Sequence, residues 1–152
     1  MECFIGNIDA KADAKGRVFI PAVFRKVLNE SGEGRLVLRK DVHQDCLVLY
    51  PYQAWNEELG KLRQKLNRYN KMHQTLLRQL VMDTEIIEMD QNGRVLIPKR
   101  YLSLIDVSSE MRFVGMDDTI EIWNCSKLEE SLLEAEAFEA GISEILGGID
   151  NE

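Results

Sequence analysis

Apolar and polar positions follow the same order twice along the chain, and each half predicts four short strands and one short helix. In the first half an apolar strand ends at Pro21, a short helix follows, and segments 35–39 and 46–50 form a hairpin. The corresponding hairpin of the second half joins 111–115 to 119–123. Because neither half can bury a sheet face alone, we expect the two halves to pack together about a pseudo-twofold axis.

An amphipathic helix is predicted after each half. Apolar residues recur at near-heptad spacing between Trp55 and Leu80, which predicts one connecting helix that packs within the subunit or against a neighbour. The residues Ser126-Lys-Leu-Glu129 are typical of a capping box, and an acidic helix is predicted from there, fading at Gly141 and fraying over 149–152. The predicted limits are 7–54 and 83–126 for the two domains, 55–82 for the connecting helix, and 127–152 for the C-terminal helix and tail.

Two nine-residue segments indicate an internal duplication. Residues 13–21 read Asp-Ala-Lys-Gly-Arg-Val-Phe-Ile-Pro and residues 90–98 read Asp-Gln-Asn-Gly-Arg-Val-Leu-Ile-Pro, so six of nine positions are identical. Further along, Leu47-Val-Leu-Tyr50 matches Ile120-Glu-Ile-Trp123 at an offset of 73 instead of 77 residues, which indicates that the second copy lacks four loop residues. Asp in the first and Gly in the fourth position favour type I turns at 13–16 and 90–93.

The charge of the chain is unevenly distributed. The net charge of −7 taken alone argues against binding to DNA, which repels an anionic protein. However, residues 1–82 carry 14 basic and 9 acidic side chains (+5), whereas residues 83–152 carry 5 and 17 (−12). Such asymmetry favours a polyanion-binding face in the first half, with the acidic half turned away from it.

Several classes of function are disfavoured by the composition. No apolar run approaches the roughly 18 residues of a membrane span, and neither a signal peptide nor a cysteine pair is present, so a cytoplasmic protein with reduced thiols is expected. Asp41, His43 and Asp45 offer three ligands without an evident fourth, so neither a metal site nor a cofactor is predicted. The sequence contains no Gly-rich phosphate loop or nucleophile elbow, which disfavours an enzyme.

The segments Phe4-x-Gly6, Asp13-x-Lys15-Gly16-Arg17 and Asp90-x-x-Gly93-Arg94 resemble the MraZ family of bacterial regulators, encoded at the head of the division and cell-wall gene cluster. The resemblance covers essentially the whole chain. It implies an α+β fold of tandem AbrB-like (SpoVT-AbrB) swapped-hairpin β-barrel halves, each followed by a helix. It also implies a ring-shaped homo-oligomer that binds short direct repeats of double-stranded DNA in its own promoter as a repressor, and hence a place in the cytoplasm and the nucleoid.

The first turn is the predicted DNA contact. Arg17 is the candidate for bidentate contact with guanine in the major groove, and Lys11, Lys15 and Arg25 are expected to contact phosphates around that turn. A surface ion pair between Asp13 and Arg17 that merely closes the turn is an equal alternative from the residues alone. The remaining turn residues of the two motifs are Gly16, Asp90 and Gly93.

The second turn departs from the first. Arg94 occupies the motif position, but Asn92 replaces the lysine, and Glu85 and Glu88 on the preceding strand predict an acidic neighbourhood. We therefore expect Arg94 to contribute less to DNA binding than Arg17.

Two other classes of function stay open at this point. One is an interaction or antitoxin-type scaffold protein that binds another protein through its acidic half. The other is a small enzyme that uses the paired Asp and Arg turns on an anionic substrate. DNA binding is distinguished from both by a steep loss of affinity as the salt concentration rises.

Overall fold

The computed structural model describes residues 3–150 and confirms a mixed α+β fold built from two similar copies. The first copy consists of β1 (Asn7–Lys11), β2 (Arg17–Phe19), α1 (Ala22–Ser31), β3 (Arg35–Lys40) and β4 (Cys46–Pro51), followed by α2 (Tyr52–Lys65) and α3 (Lys71–Met82). The second copy consists of β5 (Thr84–Glu88), β6 (Arg94–Leu96), α4 (Lys99–Leu104), β7 (Glu110–Met116) and β8 (Thr119–Trp123), followed by α5 (Cys125–Ser131) and α6 (Ala135–Asp150).

The strands of the two copies are interleaved. A six-stranded antiparallel sheet has the order β1-β7-β8-β4-β3-β5, and β2 pairs with β6 in a separate two-stranded ribbon. Each copy therefore lends its first strand to the hairpin of the other copy. Both strand orders are unchanged, apart from their direction, when each strand is replaced by its equivalent in the other copy. Equivalent residues also pair directly with each other: Val18 with Val95, and Val48 with Glu121. The pseudo-twofold axis thus passes through the ribbon and through the β4–β8 pair.

The core lies between the ribbon and the large sheet. Val18 and Val95 of the ribbon, together with Phe24 of α1 and Tyr101 of α4, are at most 1% exposed. Burial of such apolar side chains stabilises the fold by about 1.5–3 kcal/mol each. The ribbon is therefore held rigidly against the body of the protein by its buried face.

The predicted connecting helix over 55–82 is wrong in one respect, because the segment forms two helices. Helix α2 ends at Lys65, since the next residue, Leu66, is extended. Helix α3 begins only after Asn70, whose side chain accepts a hydrogen bond from the His73 backbone N–H. Between them, the side chain of Asn67 accepts from the N–H of Tyr69 at 2.9 Å. Asparagine side chains bond the local backbone in this way and compete with helical hydrogen bonds, which interrupts the apolar stripe.

The C-terminal segment also differs from the prediction. The cap is Asn124 instead of Ser126, since the Asn124 side chain accepts from the N–H of Lys127 at 3.1 Å. The helix α5 that follows is short, and α6 then continues through Gly141 instead of fading there. Of the residues predicted to fray, 149 and 150 belong to α6, and 151 and 152 lie outside the described part of the chain.

Candidate nucleic-acid interface

The first turn is closed by one carboxylate. The backbone N–H of Gly16 donates to the carbonyl of Asp13 at 3.0 Å, and Gly16 has φ +93°, a conformation that favours glycine. Asp13 Oδ1 accepts from the backbone N–H groups of Lys15 and Arg17, both at 2.9 Å, and Oδ2 accepts from Arg17 Nε at 2.7 Å. The ion pair expected as the alternative therefore exists, and it fixes the arginine as well as the turn.

The second turn repeats this geometry. Asp90 Oδ1 accepts from the N–H groups of Asn92 and Arg94, both at 2.9 Å, and Oδ2 accepts from Arg94 Nε at 2.9 Å. Backbone hydrogen bonds from Arg17 and Arg94, and then their guanidinium groups, lower the pKa of Asp13 and Asp90 respectively. Both carboxylates are therefore ionised at neutral pH and hold their arginines by charge as well as by hydrogen bonds.

In both pairs the carboxylate engages only the Nε edge of the arginine. Among the hydrogen bonds of the described residues, none uses Nη1 or Nη2 of Arg17 or of Arg94. These two terminal nitrogens are the planar donor pair that suits bidentate contact with a guanine edge or a phosphate. Each site thus presents an oriented cationic fork to solvent.

The β2–β6 ribbon brings the two arginines onto one face. Arg17 pairs with Leu96, and Arg94 pairs with Phe19, so these four side chains lie opposite the buried side of the ribbon. The turns are bonded across the copies, because Ile20 N–H donates to the Gly93 carbonyl at 3.0 Å and the equivalent bond joins the second copy to the first turn at 2.9 Å. The second half therefore contributes β6 to the face that carries Arg17, so the prediction that the acidic half is turned away from that face is wrong for β6.

Arg25 lies at the second turn, so the prediction that it lies beside the first turn is wrong. Its Nη1 donates to the Asn92 carbonyl at 3.4 Å, and a Cβ on Gly93 would lie 2.5 Å from its Cδ. The cause is the antiparallel ribbon, since a chain that leaves β2 towards α1 runs alongside the second turn. Sequence reasoning also missed Lys99, which lines a cleft of about 340 Å³ with Asp13 and Gly16 of the first turn. Arg25 lies beside the second turn and Lys99 beside the first because β2 pairs with β6. The duplication alone does not show that pairing.

The other predicted residues have separate positions. Lys15 lies in the first turn itself, whereas Lys11 lies at the end of β1 and pairs in register with Glu110. The prediction that Glu85 contributes to an acidic neighbourhood of Arg94 is wrong. Strand β5 directs the Glu85 side chain towards α4, where it lies 3.3 Å from Arg100. The carboxylate that contacts Arg94 belongs to its own turn.

Two further observations concern other kinds of site. Among residues 3–150, no three His, Cys, Asp or Glu side chains gather in a group that could hold a metal ion. Asp41 instead caps its own loop, where Oδ2 accepts from the N–H groups of His43 and Gln44 at 3.0 and 2.9 Å. None of the described helices combines the length and the hydropathy needed to cross a membrane.

Comparison with known proteins agrees with the duplication. A family model described as "MraZ protein, putative antitoxin-like" matches residues 3–79 and again residues 80–143. A Bacteroides fragilis protein named Transcriptional regulator MraZ is 57% identical over 143 residues, covering 94% of this chain and 90% of its own. Proteins of the same name from Phocaeicola vulgatus and Bacteroides thetaiotaomicron are 53% and 52% identical, covering 97% and 94% of this chain and 96% and 92% of their own. The two matches and these relatives show that the chain belongs to the MraZ family.

Proposed function

We propose that this protein is a sequence-specific DNA-binding transcriptional regulator and not an enzyme. It acts as a repressor at the promoter of its own division and cell-wall operon, where it binds short tandem repeats as an oligomeric ring. Its relatives carry the name Transcriptional regulator MraZ, which supports the general part of this proposal. The observation that carries the DNA-binding part is the pair of carboxylate-held arginines on one face of the β2–β6 ribbon.

The dimensions of this face suit B-form DNA. A two-stranded ribbon fits the major groove, which is about 12 Å wide. The register displaces Arg17 from Arg94 by two residues, which is about 7 Å along the ribbon and close to two base-pair steps of about 3.4 Å. Because the two turns share the same Asp–Arg geometry, we propose that both arginines donate bidentate hydrogen bonds to guanine, in place of the smaller contribution that the sequence predicts for Arg94.

Phosphate contacts come from basic residues around the ribbon. Lys15 and Lys99 lie at or beside the first turn, and Arg25 lies beside the second turn. Lys11, at the end of β1, is a more peripheral candidate. Contacts of this kind fix the register of the protein on the duplex without reading its sequence.

The first experiment measures the affinity for a duplex of the protein's own upstream region at 50 and 200 mM salt. Arg17→Ala and Arg94→Ala are each expected to weaken binding by about 5- to 150-fold, the range for one bidentate base contact, and by more in an oligomer. Arg35→Ala is the matched control, because Arg35 is also exposed and ion-paired, with Glu33 at 3.0 Å, but lies outside the ribbon. Wild-type affinity in both ribbon variants would refute this interface.

The same experiment separates the proposal from the scaffold alternative. Binding to DNA should weaken steeply between the two salt concentrations, because each phosphate contact releases counterions. If wild-type protein fails to shift the upstream duplex even at 50 mM salt, the protein is not a regulator of that promoter, and an antitoxin-type role towards another protein gains weight.

The ring is proposed to form through helices that the subunit leaves uncovered. An apolar stripe on α6 is exposed although its residues recur at helical spacing: Phe138, Ile142, Ile145 and Leu146. Exposed apolar residues on and before α3 form a second surface: Tyr69, Met72 and Leu76. Exposed patches of this kind mark interaction sites. Acidic residues are frequent in the segment of the first surface (Glu134, Glu136, Glu139 and Glu144), and basic residues are frequent in and next to the segment of the second (Arg63, Lys65, Lys71 and Arg78).

We therefore propose that α6 of one subunit packs on α2 and α3 of the next. A contact between two different surfaces is heterologous, and such contacts generate a ring when the rotation closes. Replacing Phe138 and Ile142 with serine is expected to reduce the mass found by light scattering to that of a smaller species. Val42→Ser, which changes an exposed valine on the β3–β4 connection, should leave the mass unchanged. An unchanged mass in the α6 variant would refute this interface.

A further inference from the structure

The face of the ribbon that carries the two arginines also carries two large apolar side chains. Phe19 is 55% exposed and Leu96 is 52% exposed, although each directly follows a buried valine in its strand. They occupy equivalent positions of the two copies, as Arg17 and Arg94 do. The fold therefore places the same combination, one arginine and one exposed apolar residue, twice about the pseudo-twofold axis.

The exposure of these residues follows from the alternation of the strand. Val18 and Val95, the intervening residues, fill the core, so Phe19 and Leu96 must lie on the opposite face. Phe19 is also held in place by Arg94, whose guanidinium carbon lies 5.8 Å from the centre of its ring. Leu96 packs on the first turn, since its Cδ1 lies 3.7 Å from the point that a Cβ on Gly16 would occupy.

We propose that Phe19 and Leu96 read thymine by contact with its C5-methyl group, next to the guanines that Arg94 and Arg17 contact. This inference rests on the proposed DNA-binding function and adds a second kind of base to it. The thymine methyl is an apolar feature of the major-groove edge of a base pair, and phenyl and aliphatic side chains are suited to it. Residues opposite each other in a ribbon lie about 4.5–5.5 Å apart, so each apolar side chain reaches the neighbourhood of the base that its arginine contacts.

The test removes only the methyl groups from the DNA. The upstream duplex is amplified once with thymidine triphosphate and once with deoxyuridine triphosphate. The ratio of the affinities for the two duplexes is then measured for the wild-type protein and for each variant. Wild-type protein is expected to bind the uracil duplex more weakly by about fourfold for each methyl group that it contacts. The double variant Phe19→Ala with Leu96→Ala should bind both duplexes with the same affinity, whereas Val42→Ala should keep the wild-type ratio.

Each outcome has a distinct meaning. Because each ratio is measured within one protein, a partly unfolded variant does not change it. A wild-type ratio close to one would overturn the methyl-reading inference while leaving the DNA-binding function intact. An equal loss in wild-type protein and in the double variant would assign the effect to the shape of the uracil duplex and would also overturn it. Failure of wild-type protein to bind the thymine duplex at 50 mM salt would instead refute the proposed function.

Discussion

Glycine is required at the fourth position of both turns, but the expected cost of replacing it with alanine differs between them. Gly16 and Gly93 have φ angles of +93° and +85°, so alanine is strained at either position. At Gly16, however, an added Cβ would lie 2.5 Å from the backbone carbonyl oxygen of Ile97. At Gly93 it would meet the side chain of Arg25, which can rotate away. The pair of variants Gly16→Ala and Gly93→Ala therefore separates backbone strain from steric collision.

The expected magnitudes follow from these contacts. The left-handed conformation costs about 1–2 kcal/mol for alanine in either turn. Displacing a backbone carbonyl in a packed region adds about 1–3 kcal/mol, whereas moving an exposed side chain adds about 0.5 kcal/mol or less. We thus expect the free energy of unfolding to fall by about 2–5 kcal/mol for Gly16→Ala and by about 1–2.5 kcal/mol for Gly93→Ala.

Urea-induced unfolding of both variants at one fixed protein concentration measures the difference, because association would otherwise change the apparent stability. The strain common to both turns cancels, so the difference reports the collision with the Ile97 carbonyl. A difference smaller than about 0.5 kcal/mol, or a larger loss for Gly93→Ala, would refute this account of the two turns.

Three further predictions concern stability and reactivity. Phe24→Ala should lower the free energy of unfolding by about 3–5 kcal/mol, whereas Val23→Ala, on the exposed side of the same helix, should change it by about 0.5 kcal/mol or less in a urea titration. Because the pKa of Asp13 is lowered in the folded protein, its contribution to stability is complete above about pH 5 and is lost as the pH falls further; Asp13→Asn should flatten that part of the stability profile. Burial raises the pKa of the Cys46 thiol to about 12, so only two of the three cysteines should react with a thiol reagent at pH 8 before unfolding, and rapid reaction of all three would contradict this.

The local elements could be predicted because short-range chemistry determines them. Alternating apolar residues and the Asp-x-x-Gly turns indicated both hairpins and both turns, and the structure confirms them. Long-range pairing could not be predicted in the same way, because nothing local to Arg17 or Arg25 shows which strand lies alongside. The sequence therefore places Arg25 at the wrong turn and gives no indication that Lys99 lies beside the first turn.

The break in the connecting helix had a local signal that the apolar stripe concealed. Asn67 and Asn70 both bond to nearby backbone groups, and Tyr69 between them is almost fully exposed. Polar residues that compete for backbone hydrogen bonds can interrupt a helix even where the apolar spacing continues on both sides. The DNA contacts assigned to Arg17, Lys15 and the other basic residues stay predictions until the affinity measurements are made.

The exchange of first strands between the copies has a consequence for synthesis of the protein. Strand β1 leaves the ribosome first, but its partner β7 follows much later, since Asn7 pairs with Val114. At about 5–20 residues per second, the nascent chain carries an unpaired strand for about 5–20 s. Neither copy can complete its sheet until the other has been translated, so folding is delayed until nearly the whole chain is available. A chain that terminates after α3 would expose the edges that β5 and β7 normally cover, and such edges are prone to aggregate.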